Sequence, residues 1–262
     1  MGLSPISRPA QRAKAVKEVH HDDASFGIRT VGAVSDPGGP RQLAFPLDHA
    51  ESHAREDFLS GPSNAAALAL VETWPDWPAR AVVLTGPAGS GKSHLASIWA
   101  ARSGARFLGG RSLVQTSLPS ALATHALVVE DLAPGEFDER ALFHLINLAR
   151  EEEAYLLFTA ASPPAGWELA IPDLASRLKA LPVVTLAPPD DALLRAVLVK
   201  LFADRQLAVD EALVGYVATR IERTFAAARA VVARLDQAAI ERKRPLTRAL
   251  AAEVLREEGE AD

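Results

Sequence analysis

The stretch Gly86-Pro87-Ala88-Gly89-Ser90-Gly91-Lys92-Ser93 constrains this chain more than any other. Its glycines reach backbone conformations that other residues avoid, so the main chain can curl and turn its N–H groups inward. The spacing is G-x-x-x-x-G-K-[ST], the phosphate-binding P-loop. Residues 81–85, Ala-Val-Val-Leu-Thr, predict a buried strand before it, and residues 94–101 predict a helix after it. Strand, loop and helix in that order is the context the motif requires. A phosphate held there would sit on the loop amides and on the positive end of the helix. Lys92 would reach the β- and γ-phosphates, and Ser93 would hold Mg²⁺. Gly86 to Ser93 and the adjoining His94 are the cofactor-binding residues of this reading.

The flanking pattern predicts the architecture. Short apolar runs at 81–85, 106–108, 126–131, 155–159 and 183–186 alternate with helical stretches, among them 137–152 and a short one at 172–178. Strands that are apolar along their whole length belong in a parallel sheet covered on both faces, so the class is α/β. From Pro188 onward no strand signal recurs. Helical stretches at about 191–205, 210–220, 224–242 and 247–257 follow, with Asp190, Asp210 and Thr247 as N-caps. The expected division is a tail at 1–40, an extended peptide at 41–48, a nucleotide-binding domain at 49–187 and a helical lid at 188–262.

Other residues join the loop by position. Glu130 and Asp131 end a predicted strand, and acids there line the ligand crevice of an open parallel sheet. One would hold Mg²⁺ through water, a role assigned to Glu130, and the other would orient or deprotonate an attacking water. Thr159, ending the next strand, either faces the γ-phosphate or caps the following loop. Arg177 precedes the final strand at an edge pointing away from its own nucleotide, where it can enter a neighbour's site. Arg223 lies between two lid helices and can fold back onto the phosphates. Upstream, Ser63 or Asn64 can cap a helix at 65–73. Gln42, Leu43, Phe45, Pro46 and Leu47 alternate apolar side chains in an extended segment, which either docks in an apolar groove of a partner or packs on its own domain.

Composition removes several classes. The 262 residues are 48% hydrophobic, enough for a sizeable core plus a satellite. A net charge of −5 gives no basic excess for a dedicated nucleic-acid binder. With no cysteine, disulfides, thiolate catalysis and cysteine-held zinc are excluded. His20 and His21 are an adjacent pair in an aperiodic segment that reads as disordered, which is too little for a metal site. No run reaches membrane-spanning length and no signal-peptide core is present, so a cytoplasmic protein is expected.

The constellation resembles the AAA+ ATPases, within them the DnaA branch, and in that branch the Hda-type regulatory inactivators of alphaproteobacteria. The carrying residues are 42–47, Phe58-x-x-Gly61-x-x-Asn64, the P-loop, Glu130-Asp131, Pro172-Asp173-Leu174-Ala175-Ser176-Arg177-Leu178 and Arg223. The resemblance implies that 42–47 binds the β sliding clamp, that Gly61 and Asn64 line an adenine pocket for ADP or ATP, and that Arg223 is a lid sensor. It also implies that Arg177 is an arginine finger stimulating hydrolysis of ATP on DnaA, with Mg²⁺ at the resident nucleotide. Three departures bear on intrinsic ATPase activity and on DNA contact. Glu130-Asp131 stands where such chains carry Asp-Asp, Ala160-Ala161-Ser162 replaces polar residues, and no helix-turn-helix DNA-binding domain is expected after the lid. Weak intrinsic turnover, no sequence-specific DNA binding and possible self-association are expected. The alternatives are a DNA-binding initiator or helicase loader of the same branch, and an autonomous P-loop kinase or motor. Arg242-Lys243-Arg244, the one compact basic cluster, fits a helix C-terminus.

Overall fold

Alternation of side chains along the pleat explains how fully apolar strands build two cores. Val82 and Leu84, Ala126 and Val128, and Leu157 enter one apolar cluster. Their chain neighbours Val83, Leu127, Val129, Leu156 and Phe158 enter another, on the opposite face. The computed structural model describes residues 53–113 and 118–259, with side chains to residue 257. These lie in one compact unit, Ala50–Asp262. The predicted tail, His20 and His21, and the peptide with Gln42, Leu43, Phe45, Pro46 and Leu47 fall outside the described residues.

Five strands pair in parallel in the order β2-β3-β4-β1-β5: β1 (Ala81–Thr85), β2 (Arg106–Gly109), β3 (Ala126–Leu132), β4 (Tyr155–Ala160) and β5 (Val183–Thr185). In register, Ala81 faces Leu156, Thr85 faces Ala160 and Val83 also faces Val183. One face is covered by α1 (Ala65–Glu72) and α2 (Lys92–Ser103), through Leu68, Val71, Leu95 and Trp99. The other is covered by α3 (Leu118–Ala121), α4 (Glu139–Glu151) and α5 (Pro172–Lys179), through Leu118, Leu142, Leu145, Leu174 and Leu178. The predicted α/β sheet is therefore present, and α3 is a helix the periodicity did not indicate.

A third apolar cluster is wholly helical. It joins α6 (Asp191–Asp204), α7 (Glu211–Ala218), α8 (Phe225–Arg242) and α9 (Arg248–Gly259) through Leu198, Phe202, Leu213, Val217, Val231, Leu235 and Leu250. The caps are those expected: Asp190 accepts from Leu193 N–H at 2.8 Å, Asp210 from Leu213 N–H at 2.7 Å and Thr247 from Leu250 N–H at 3.3 Å. Asn64 differs. It occupies the N-cap position of α1 but makes no side-chain cap bond, because its amide is spent on the preceding loop. No described helix is long and apolar enough to cross a membrane.

Candidate functional site

The strand order brings the carboxyl ends of β1, β3 and β4 side by side, and the loop after β1 turns there. Gly86 and Gly89 have φ of +148° and +69°. A Cβ on Gly86 would stand 2.5 Å from the Leu186 carbonyl oxygen beyond β5, so only glycine fits. Gly89 is approached by α8, whose first residue Phe225 donates its N–H to the Gly89 carbonyl at 3.0 Å. A Cβ on Gly89 would meet Ala226 Cβ at 3.0 Å. Gly91, at φ +98°, is the residue from which α2 starts, so the helix begins at Lys92, earlier than periodicity alone indicates. Pro87 and Ala88 are exposed, Ser93 is exposed on the first turn of α2, and Ser90 is buried with its hydroxyl unpartnered among the described residues.

Lys92 is buried, and its ammonium donates to the Gly86 and Pro87 carbonyls, each at 2.9 Å. Burial pushes its pKa below the ordinary lysine value, while the charges of Asp131 and then Glu130 pull it back up. The predicted acid pair is thus within electrostatic reach of the P-loop lysine. Its presentation depends on an irregularity: the β3–β4 register shifts between Val129 and Leu132, and Asp131 sits at φ +55°. Asp131 N–H donates to Thr159 Oγ1 at 3.0 Å, and Thr159 is fully buried. Gly110 abuts the Glu130 and Asp131 carbonyls from the other side, where a Cβ would stand 3.2 Å from each.

Thr159 thereby anchors the turn that carries the acids. Thr159→Val keeps the shape but strands the Asp131 N–H. We expect a loss of about 1–2 kcal/mol in urea unfolding, with Thr159→Ser restoring most of it.

These residues fit a hydrated Mg²⁺. Glu130 Oε1 is buried with no hydrogen-bond partner among the described residues, and the Ser93 hydroxyl is exposed at the start of α2. No described cluster of three or more His, Asp or Glu could hold a metal by itself. An ion held there would take one or two protein oxygens, with water and phosphate completing its shell.

The sequence-predicted adenine residues lie on a segment that straps several elements together. Asn64 is buried; its carbonyl accepts from Gly61 N–H at 2.8 Å and its amide donates to the Leu59 carbonyl at 3.0 Å. Gly61 lies against Leu193 of α6, and Asp57 pairs with Lys200 of α6 at 2.7 Å. His94 turns toward this strap: its Nε2 is 3.0 Å from the Ala54 carbonyl, and its ring meets Phe58 edge-on at 5.2 Å. A carbonyl only accepts, so Nε2 carries the proton. Burial lowers the His94 pKa, and the hydrogen bond to the Ala54 carbonyl offsets part of that.

Arg177 sits on α5. It donates to Asn147 Oδ1, its guanidinium lies 4.8 Å from the Phe143 ring centroid, and Asp173 is 3.9 Å away. Its side chain is 33% exposed. Arg223 is exposed in the turn before α8 and makes no hydrogen bond, ion pair or ring contact with the described residues. Within α8, Phe225 and Ala226 touch the P-loop; they carry no motif and could not be found by one.

No protein family matches the sequence, and no curated protein does. Solved structures do match in shape. Domain III of the replication initiation protein DnaA from Thermotoga maritima superposes with a TM-score of 0.66 at 17% identity, over 78% of this chain and 96% of that one. The Thermotoga maritima RuvB Holliday junction branch migration motor gives 0.64 at 17% identity, over 78% of this chain and 72% of that one. The likeness is one of fold: a five-stranded parallel sheet between helices, followed by a helical region. A third match is replication initiator DnaA bound to AMPPCP and single-stranded DNA. It gives a TM-score of 0.58 at 17% identity, over 72% of this chain and 66% of that one.

Proposed function

We propose that this AAA+ chain binds ADP or ATP with Mg²⁺ at the P-loop and acts as a regulatory inactivator of DnaA. In this role Arg177 enters the ATP site of DnaA and speeds hydrolysis there, so that the initiator passes to its ADP form. The peptide with Gln42, Leu43, Phe45 and Leu47 tethers the molecule to the β sliding clamp on DNA. The observation that carries the reading is Arg177 itself. It is an arginine on the short helix before the sheet's edge strand, partly exposed, with its guanidinium braced by α4. Asn147, Phe143 and Asp173 limit its rotamers, which favours delivery of a fixed charge to a neighbouring molecule. Domains 49–187 and 188–262 are the base and lid of this reading.

The chain's own site would mainly hold nucleotide. Lys92 and the loop amides bind phosphate, Ser93 and Glu130 would hold the ion, and Asp131 would orient water.

The test is hydrolysis of DnaA-bound ATP with and without DNA-loaded clamp and this protein. Stimulation requiring both additions is expected. Deleting residues 42–47 is expected to abolish clamp pull-down and the clamp-dependent part of the rate. Clamp binding that survives the deletion refutes the tether, and a rate indifferent to the protein refutes the role.

A further inference from the structure

Two of the three basic residues that stand out in the sequence are occupied in the fold. Arg242 pairs with Glu253 at 3.0 Å and Glu257 at 2.8 Å, and Arg244 pairs with Glu253 at 3.0 Å. The two arginines of that cluster are thus paired between α8 and α9, and Lys243 is left exposed. A different group forms where α7 meets the start of α9. The Arg220 guanidinium lies 3.7 Å from the Tyr216 ring centroid and the Arg248 guanidinium 5.0 Å from the same centroid. Both arginines are exposed. Arg220 is further fixed by donating to the Tyr216 carbonyl and the Thr219 hydroxyl, each at 3.1 Å. Neither arginine makes an ion pair with the described residues. Arg223 follows in the same turn and is also exposed, and Glu222 beside it is the one acid of that turn.

Gathering two like charges about one ring without a counter-ion is unfavourable by Coulomb repulsion, and the ring's negative face offsets part of that. What results is a pair of planar donor forks held in place and turned to solvent. We propose that Tyr216, Arg220 and Arg248 form a sequence-independent contact for the phosphate backbone of DNA, separate from the P-loop. Phosphate oxygens suit bidentate arginine forks, and such contacts position a protein without reading bases. An acidic protein partner fits less well. The core of a protein interface is apolar, whereas the large apolar side chains exposed among the described residues are Phe107, Val183, Val199 and Ile240. None belongs to α7, α9 or their turns. Exposed Thr219, Arg220, Glu222, Arg223, Thr247 and Arg248 instead make this surface mainly polar.

With about two phosphates engaged, the contact is weak and strongly salt-dependent. Fluorescence anisotropy with a labelled duplex of about 20 base pairs at about 50 mM salt measures it directly. Arg220→Glu combined with Arg248→Glu is expected to weaken binding at least tenfold and to make the salt slope shallower by about 2. Arg248→Gln alone is the milder variant should the double reversal fail to fold, and its slope is expected to change by about 1. Nucleotide affinity stays the same in each. Undiminished DNA affinity in the folded variants, no duplex binding by the native chain, or capture of poly-glutamate in preference to the duplex would overturn the assignment.

Discussion

Arg177→Ala is expected to lower the stimulated hydrolysis of DnaA-bound ATP by roughly 10³- to 10⁵-fold, the range over which a trans arginine acts. The size follows from where the charge is needed. Negative charge spreads over the γ-phosphoryl oxygens in the transition state, and a guanidinium pre-positioned there stabilises that state more than the ground state. Folding should be little affected. The partners lost are Asn147, the Phe143 ring and a long ion pair to Asp173, all at a partly exposed position. They are worth about 1 kcal/mol or less together, while Leu174 and Leu178 keep α5 seated in the core. The variant should therefore melt near the parent, bind ADP with equal affinity and still be retained on the clamp. Arg177→Lys keeps a charge but not the planar fork, and it is expected to recover little of the rate. The result that removes Arg177 from the mechanism is a rate within tenfold of the parent from a folded, clamp-bound variant.

The fold was legible because its signals are local. Fully apolar runs such as residues 155–159 and the caps Asp190 and Asp210 act within a few positions of themselves, and the P-loop spacing compresses a whole phosphate cradle into eight residues. What could not be read depends on meetings between distant segments. Asn64 looks like a helix cap, and its position is one, yet the Gly61 N–H and the Leu59 carbonyl claim its amide. Arg223 is readable as a sensor from its place between lid helices, whereas the contacts that Thr224, Phe225 and Ala226 make with Gly89 use a backbone bond and packing that carry no motif. The left-handed turn at Asp131 is equally silent. It exists because Thr159 on the neighbouring strand accepts its N–H and Gly110 leaves room for the Glu130 and Asp131 carbonyls. Arg242-Lys243-Arg244 does close a helix as its composition suggests, but the pairing of Arg242 and Arg244 with Glu253 and Glu257 of α9 could not be read from it.

Lys92→Met should separate binding from stability, moving them in opposite directions. The methionine keeps most of the alkyl stem and removes the ammonium. Affinity for ADP is expected to fall by about 10²-fold or more, because a buried, charge-assisted contact to phosphate is lost, a change of about 3 kcal/mol. Fluorescent ADP titration measures it, and a loss under threefold would remove Lys92 from the phosphate contact. The nucleotide-free protein should be as stable as the parent or more so. Burial lowers the Lys92 pKa in the folded state, so the unfolded chain holds that proton more tightly. Below the lowered value the charged lysine therefore costs folding free energy. The cost fades as pH rises from the lowered value toward the ordinary 10.5. In thermal melts the variant's advantage should accordingly be largest at neutral pH and shrink in alkali. ADP reverses the order: its phosphates supply the negative charge that Glu130 and Asp131 supply only in part, so saturating nucleotide stabilises the parent and leaves the methionine variant nearly unmoved. If the variant is instead the less stable protein without nucleotide and the difference holds flat with pH, the bonds from Lys92 to the Gly86 and Pro87 carbonyls outweigh its desolvation, and the lysine is a structural brace of the loop as well as its phosphate contact.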